Sequence, residues 1–341
     1  MLLERLLSLG RPTLDWIQVE VSSHCNAACT YCPRTVYRDR WEDRHLPLAS
    51  FERLLPAFSK TELVYLQGWG EPFLNPDFFS MAAMAKGAGC RVGTTTNGML
   101  LTPERIEKIL ETGLDIVAFS LAGTDQRNDA IRRGTRLEVV LKAMESLMEA
   151  KERRGSPRPE VHIAYMLLRS GLDELERLPD LLRGSGVAHV VISTLDFIPG
   201  PGLQAEALLP ATREEFDAIR SRLDAVADQA RCHGIGVHYR LGLRGERRPL
   251  CTENVQRALC VSAKGMVTPC VYTNLPVAGG EPGRPRGEMT HDALVFGDVN
   301  REALLDIWKK EQYKAFRRSF DRGDLAPPCV DCPKLSLTEF P

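Results

Sequence analysis

From Trp16 to about Tyr239, short β-branched or apolar runs alternate with longer stretches of helical periodicity. The runs predict strands over 17–21, 62–66, 91–96, 115–120, 161–167 and 187–194. Spacing of apolar positions predicts helices between them over 49–59, 76–86, 103–111, 137–151 and 172–183, and a sixth over 212–233. Punctuation supports several boundaries. Thr102-Pro103-Glu104 reads as a cap followed by proline at the first helical position, and Asn75-Pro76-Asp77 reads the same way. Gly87, Gly113 and Gly234 follow helix ends. Regular strand–helix alternation implies an α/β fold with parallel strands covered by helices. Six such units leave a partial barrel and an open doubly wound sheet as alternatives.

After Tyr239 the helical periodicity stops and Gly, Pro and Arg become frequent. The sequence therefore divides into 1–14, a short N-terminal helix or extension; 15–238, the strand–helix core; and 239–341, a small cysteine-rich unit. In the last unit Lys264-Gly265-Met266-Val267 predicts a hairpin turn, with Val261 and Val267 in its strands. The stretch 279–287 reads as a loop, and an amphipathic helix is expected over 301–320.

At 341 residues the chain can bury a substantial core. A formal net charge of -1 gives no reason to expect nucleic acid or an anionic membrane as partner. The apolar start is broken by Glu4 and Arg5, and no later run is long enough to span a bilayer, so the expected location is cytoplasmic. Ten cysteines in such a chain point to metal binding rather than disulfides. Cys90 and Cys232 stand alone and read as buried apolar thiols.

The remaining cysteines form two groups. Cys25, Cys29 and Cys32 have the spacing C-x3-C-x2-C and follow the first strand. Iron–sulfur cubes are held by thiolates, usually four, so three leave one iron with an open position. A metal with an open position does chemistry, whereas a closed one is usually structural. The second group comprises Cys251, Cys260, Cys270, Cys329 and Cys332, where a C-x2-C pair suits zinc as well as iron. Cys260 is either a buried thiol or a replacement for Cys251 as ligand.

The triple cysteine, Tyr31 before its last member and the preceding strand resemble the radical S-adenosylmethionine (SAM) enzymes. Gln67-Gly68-Trp69-Gly70-Glu71-Pro72, after the second strand, is similar to that family's G-G-E-P element, with a tryptophan between the glycines. The resemblance implies a partial (β/α)6 barrel in which Cys25, Cys29 and Cys32 hold a 4Fe–4S cluster. Its open iron chelates SAM, and reduction splits SAM to a 5′-deoxyadenosyl radical. It further implies that the backbone around Gly68, Gly70, Glu71 and Pro72 meets the SAM ammonium, and that Tyr31 lies near the adenine. Thr96, Asn97 and Ser120, at the ends of the third and fourth strands, would meet the ribose or carboxylate. Many family members carry an aspartate where this chain has Ala122.

The later cysteines resemble the SPASM/Twitch auxiliary-cluster domain. The chain ends nine residues after Cys332 without another cysteine, like the shorter Twitch form with one auxiliary 4Fe–4S cluster. Cys251, Cys270, Cys329 and Cys332 would be its ligands. The implied activity is hydrogen abstraction followed by oxidation, with Asp196 as candidate base and Tyr165 and Arg169 as candidate substrate contacts. The expected substrate is a peptide or protein. A small-molecule alcohol such as an aminocyclitol is the alternative, favoured by the roughly fifteen residues before the first strand, which leave no room for a peptide-recognition domain. A flavodoxin- or ferredoxin-type protein would supply electrons. A non-catalytic iron–sulfur carrier or zinc-binding module is the reading from another class; it would not need the SAM-pocket motifs.

Overall fold

The computed structural model describes residues 13–243, 250–278, 293–330, 332, 334 and 335. The expected N-terminal helix up to residue 12 and the loop 279–287 lie outside the described residues. The strands are β1 (Leu14–Val19), β2 (Ala28–Cys29), β3 (Thr61–Leu66), β4 (Arg91–Thr96), β5 (Ile116–Leu121), β6 (Arg132–Arg133), β7 (Glu160–Leu167), β8 (His189–Thr194), β9 (Gly236–Tyr239), β10 (Ala258–Val261), β11 (Met266–Thr268) and β12 (Gly297–Asp298).

Ten of these form one sheet in the order β12-β11-β10-β1-β3-β4-β5-β7-β8-β9. Every pair from β10 through β9 is parallel. The six expected strands are all present and neighbours in sequence order. One cavity is lined by Gln18 of β1, residues of the β3 and β4 ends, Ser120 of β5, Tyr165 of β7 and Ser193 of β8. A flat sheet cannot bring its first and last strands around one space, so this one curls into a partial barrel. That excludes the open doubly wound alternative.

Four members of this sheet, β9, β10, β11 and β12, were not foreseen as such. β9 is a four-residue edge strand beginning at Gly236, too short for a periodic signal. β10 is fully buried and lies parallel to β1, so the chain beyond 239 re-enters the sheet at its opposite edge. The predicted hairpin follows it, with Val261 opposite Val267 and Gly265 at φ +85°.

Prolines account for two differences between expected and observed helices. The helix expected over 49–59 is split into Leu48–Glu52 and Leu55–Phe58. Pro56 has no N–H to offer the carbonyl four residues back. The helix expected over 172–183 is a 3-10 segment, Arg169–Arg177, and one turn, Leu178–Leu181, with Pro179 at its start. The expected 301–320 helix breaks at Lys310, between Leu304–Lys309 and Glu311–Arg322. There the Lys310 ammonium donates to the Phe296 carbonyl and pairs with Glu302 at 2.7 Å. Thr102 caps Pro103–Thr112 as expected, and Gly113 ends it at φ +70°. Asn75 does not cap the next helix. Its side chain accepts the Asp77 N–H and donates to the carbonyls of Val21 and Leu46.

Candidate active site

The loop after β1 is shaped by its own polar contacts. Ser23 Oγ donates to the Glu42 carbonyl at 2.8 Å, and the Trp41 indole donates to the Ser23 carbonyl at 3.0 Å. Cys29 lies in β2, and Cys32 caps the short helix Pro33–Val36. All three cysteines are free and line the same cavity, of about 290 Å³, at the carboxyl ends of the barrel strands. Burial raises the Cys25 thiol and pushes Cys32 up to about 12. Thiols in this setting favour the thiolate only when a cation joins them.

The loop after β3 is bonded onto this one. Gly70 N–H donates to the Ser22 carbonyl at 3.1 Å and Glu71 N–H to the His24 carbonyl at 2.9 Å. Both glycines are required by closeness. A Cβ on Gly70 would lie 2.4 Å from the His24 carbonyl oxygen, and one on Gly68 would lie 2.2 Å from Glu20 Cγ. Glu20 is buried beneath the loop and accepts the N–H groups of Trp69 and Ala263, both at 3.0 Å. The Glu71 carboxylate is also buried; it accepts Thr96 Oγ1 and Asn97 N–H, each at 2.8 Å, and Phe73 N–H at 3.3 Å. Asn97 in turn donates to Asn26 Oδ1 at 2.7 Å and approaches Cys25 Sγ at 3.9 Å. Glu71 therefore holds the cavity floor together, and Pro72 sits buried behind it.

This arrangement gives one expected contact residue a partner within the protein. Thr96 lines the cavity, but its one hydroxyl proton is committed to Glu71. Ser120 lines the same cavity and its hydroxyl has no hydrogen-bond partner among the described residues, so it is open to a ligand. Tyr31 lines the cavity with its hydroxyl accepting from Arg132. Arg132 was missed by sequence reasoning. It is 6% exposed, stands opposite Cys29 in the β2–β6 ribbon, and its Nε has no partner. In sequence it is one of two arginines after a short helix, and only the ribbon turns it inward.

Cys251, Cys270, Cys329 and Cys332 line a second, smaller cavity. All four are free, and burial pushes Cys251 and Cys329 up to about 12. Cys260 is outside that cavity, buried in β10 opposite Thr268, which makes it the packing thiol. Cys90 is buried too, but Cys232 is exposed on its helix, contrary to expectation. A tetrahedral zinc with Zn–S bonds of about 2.3 Å needs sulfurs roughly 3.8 Å apart. Four thiols lining one cavity are a donor set that either zinc or an iron–sulfur cube takes.

Residues 19–182 match the radical SAM superfamily, and residues 251–333 match the SPASM iron–sulfur cluster-binding domain. The chain carries a radical SAM domain followed by a SPASM domain. It is similar to the tungsten-containing aldehyde ferredoxin oxidoreductase cofactor-modifying protein of Pyrococcus furiosus, with 25% identity over 96% of this chain and 89% of that protein. It is also similar to the PqqA peptide cyclase of Granulibacter bethesdensis, with 22% identity over 93% of this chain and 79% of that protein. Its fold is like that of Streptococcus suis SuiB bound to S-adenosylmethionine, with TM-score 0.67 at 14% identity, over 95% of this chain and 71% of that one. The residues of both cavities fit the cofactors of these domains. Three free thiols, an orphaned guanidinium nitrogen and an unbonded hydroxyl face one cavity, and four free thiols face another.

Between the two cysteine sets of this radical SAM protein stands an aromatic wall. Trp69 meets Tyr272 edge-on at 5.7 Å, and Phe197 stacks on Tyr272 at 5.9 Å. Trp69, which the sequence left unexplained, thus carries the β3 loop onto the SPASM unit. Its indole N–H has no partner. Asp196 lines the SAM-side cavity, accepts from Thr194 Oγ1 at 2.6 Å and pairs with Lys334 at 2.9 Å. Lys334 also pairs with Glu253 at 3.1 Å. Despite the cost of burial, the facing Tyr272, Asp196 and Glu253 hold Lys334 above its ordinary range. Tyr165 is buried in the cavity lining with no partner for its hydroxyl, which burial raises. Arg169 does not line the cavity: its guanidinium is held by Glu215 at 2.9 Å, because the 3-10 segment it begins leads away from the strand end.

Proposed function

We propose that this radical SAM protein is an oxidative modifying enzyme acting on a peptide or protein. The two domains supply radical hydrogen abstraction, from SAM on the three-cysteine cluster, and an electron acceptor, the auxiliary cluster. The observation that carries the oxidative reading is that Tyr272 lines both cysteine cavities, so one side chain separates them. Asp196, which lines this cavity, would take the substrate proton, with Lys334 balancing its charge. The unpartnered Tyr165 hydroxyl and Ser120 offer hydrogen bonds to bound molecules, and Arg132 offers its guanidinium to the SAM carboxylate. Cys25, Cys29 and Cys32 would hold the SAM cluster, and Cys251, Cys270, Cys329 and Cys332 the auxiliary one.

A peptide is favoured by the space available. A third cavity, of about 280 Å³, shares Ser193, Thr194 and Asp196 with the first and continues along β8 and β9. Similarity to a peptide cyclase points the same way. The second reading, a small-molecule cofactor as substrate, is favoured by the cofactor-modifying relative. A flavodoxin- or ferredoxin-type donor would deliver electrons. We place the enzyme in the cytoplasm, since its ten free cysteines suit a reducing compartment. No helix among the described residues is long and apolar enough to cross a membrane.

The test is anaerobic 5′-deoxyadenosine production by the cluster-loaded protein with SAM and reductant, with synthetic peptide pools or a low-molecular-weight cell extract added. Peptide-stimulated turnover with a peptide product lighter by about 2 Da supports the proposal, two hydrogens being lost. Stimulation by the small-molecule fraction alone would move the assignment to the cofactor reading. Peptide turnover without a mass change would remove the oxidative step.

A further inference from the structure

Three of the seven histidines gather on the last three barrel strands, at the end away from the cysteines. His162 of β7 and His189 of β8 are register partners. Glu160 precedes His162 by two residues and so shares its face of the sheet. Ala164, two residues beyond His162, lines the SAM-side cavity, so this face looks into the barrel about 6.6 Å below that cavity's lining. The rings of His162 and His189 lie 5.0 Å apart at 84°. Glu160 Oε2 is 3.4 Å from His162 Nε2, while its other oxygen faces Arg158 at 3.9 Å. His238 of β9 completes the group, with Nε2 3.1 Å from His189 Nδ1. The His189 ring reaches across β9 because Gly236 stands beneath it; a Cβ there would lie 2.6 Å from His189 Nδ1.

We propose that Glu160, His162 and His189 form a binding site for a divalent transition-metal cation of the zinc type, separate from both cluster sites. One ligand atom from each residue lies within 4.8 Å of the other two. Two imidazoles and a carboxylate are a donor set that zinc takes, with bonds of about 2.1 Å and ligand atoms roughly 3.4 Å apart. The Glu160–His162 distance of 3.4 Å already has that value. His238 engages Nδ1 of His189, which leaves Nε2 for the cation and fixes the ring, as the outer partners of metal-bound imidazoles do. The absence of sulfur from the group selects a single N/O-bound cation over an iron–sulfur cluster. The cation would join β7 to β8, and His238, which lines the cavity along β8 and β9, would link β9 to the site through His189.

The test uses full-length, cluster-loaded protein held anaerobically, incubated with zinc chloride and passed through gel filtration. Zinc and iron are then measured per chain, and the zinc ligands are read by X-ray absorption. The expected result is about one zinc per chain with a nitrogen/oxygen shell, lost in a His162→Gln/His189→Gln variant whose iron content is unchanged. Glu160→Gln, which leaves the histidine packing in place, is expected to weaken zinc roughly tenfold or more. No zinc on the parent, equal zinc on the double variant, or sulfur in the zinc shell would overturn the site. If the double variant loses iron as well, Glu160→Gln decides, and unchanged zinc affinity there rejects the proposal.

Discussion

Gly68 and Gly70 look alike in sequence, yet their surroundings differ in stiffness. A methyl group on Gly70 meets the backbone carbonyls of His24 and Ser22 at 2.4 and 2.6 Å, which cannot move without displacing the cysteine loop. A methyl group on Gly68 meets Glu20 Cγ at 2.2 Å and Cβ at 2.6 Å, the near end of a buried side chain whose two oxygens are already held, and it leaves the cysteine loop untouched. Gly70→Ala is therefore expected to lose the SAM-side cluster, lowering iron from about eight to about four per chain. Gly68→Ala, whose clash falls on Glu20 rather than on the cysteine loop, is expected to keep both clusters but to lose at least the ~1–3 kcal/mol usual for overpacking. Iron analysis and anaerobic thermal melts measure the two effects, and equal iron loss in both variants would contradict the distinction. Sequence reading assigned these glycines to ligand approach; the structure adds that the cysteine loop itself needs them. The charged partners Glu20 and Arg132 were not legible, because burial of a single acid or base leaves no periodic trace.

At the scale of elements, the two-residue ribbon β2–β6 does what no single motif announces. It sets Arg132 beside Cys29 and Tyr31, and Gly134 at φ +87° lets it pass close to the Asn26 carbonyl. A buried guanidinium with a free Nε recognises a carboxylate best, by paired N–H donors. Arg132→Met is expected to retain both clusters but to weaken SAM binding roughly tenfold or more, a loss expected for a charge-assisted bond. Equilibrium SAM binding to the cluster-loaded variant measures this, and unchanged affinity would remove Arg132 from the SAM site. Strand positions in the core were readable because each carries short β-branched or apolar runs, buried toward the helices on alternate residues as in β7. Helix breaks at Pro56 and Pro179 were recoverable from proline alone. The break at Lys310 was not, since the Phe296 carbonyl it serves is distant in sequence.

At the scale of the molecule, Glu20 joins its two parts: one oxygen accepts from Trp69 in the barrel, the other from Ala263 beyond β10. Burial raises its carboxyl above the ordinary 4.5, against the pull of the two N–H groups. A raised carboxyl contributes stability that is complete below the ordinary value and is lost as pH rises through the raised one. The melting temperature of the parent minus that of Glu20→Gln is therefore expected to grow as pH falls from about 8 to about 5. A difference independent of pH would show that Glu20 does not titrate with folding. The sequence by itself determined the parallel α/β core, the two cysteine groups and the chemistry they imply, because spacing, periodicity and thiol chemistry are local. Tertiary structure alone decided which residues meet. It curled the sheet so that Gln18 and Asp196 share a cavity, kept Arg169 out of it and Arg132 in it, withdrew Cys260 into β10, and set Tyr272 between the two sites. Each of these depends on contacts between residues far apart in the chain, and no local pattern encodes such contacts.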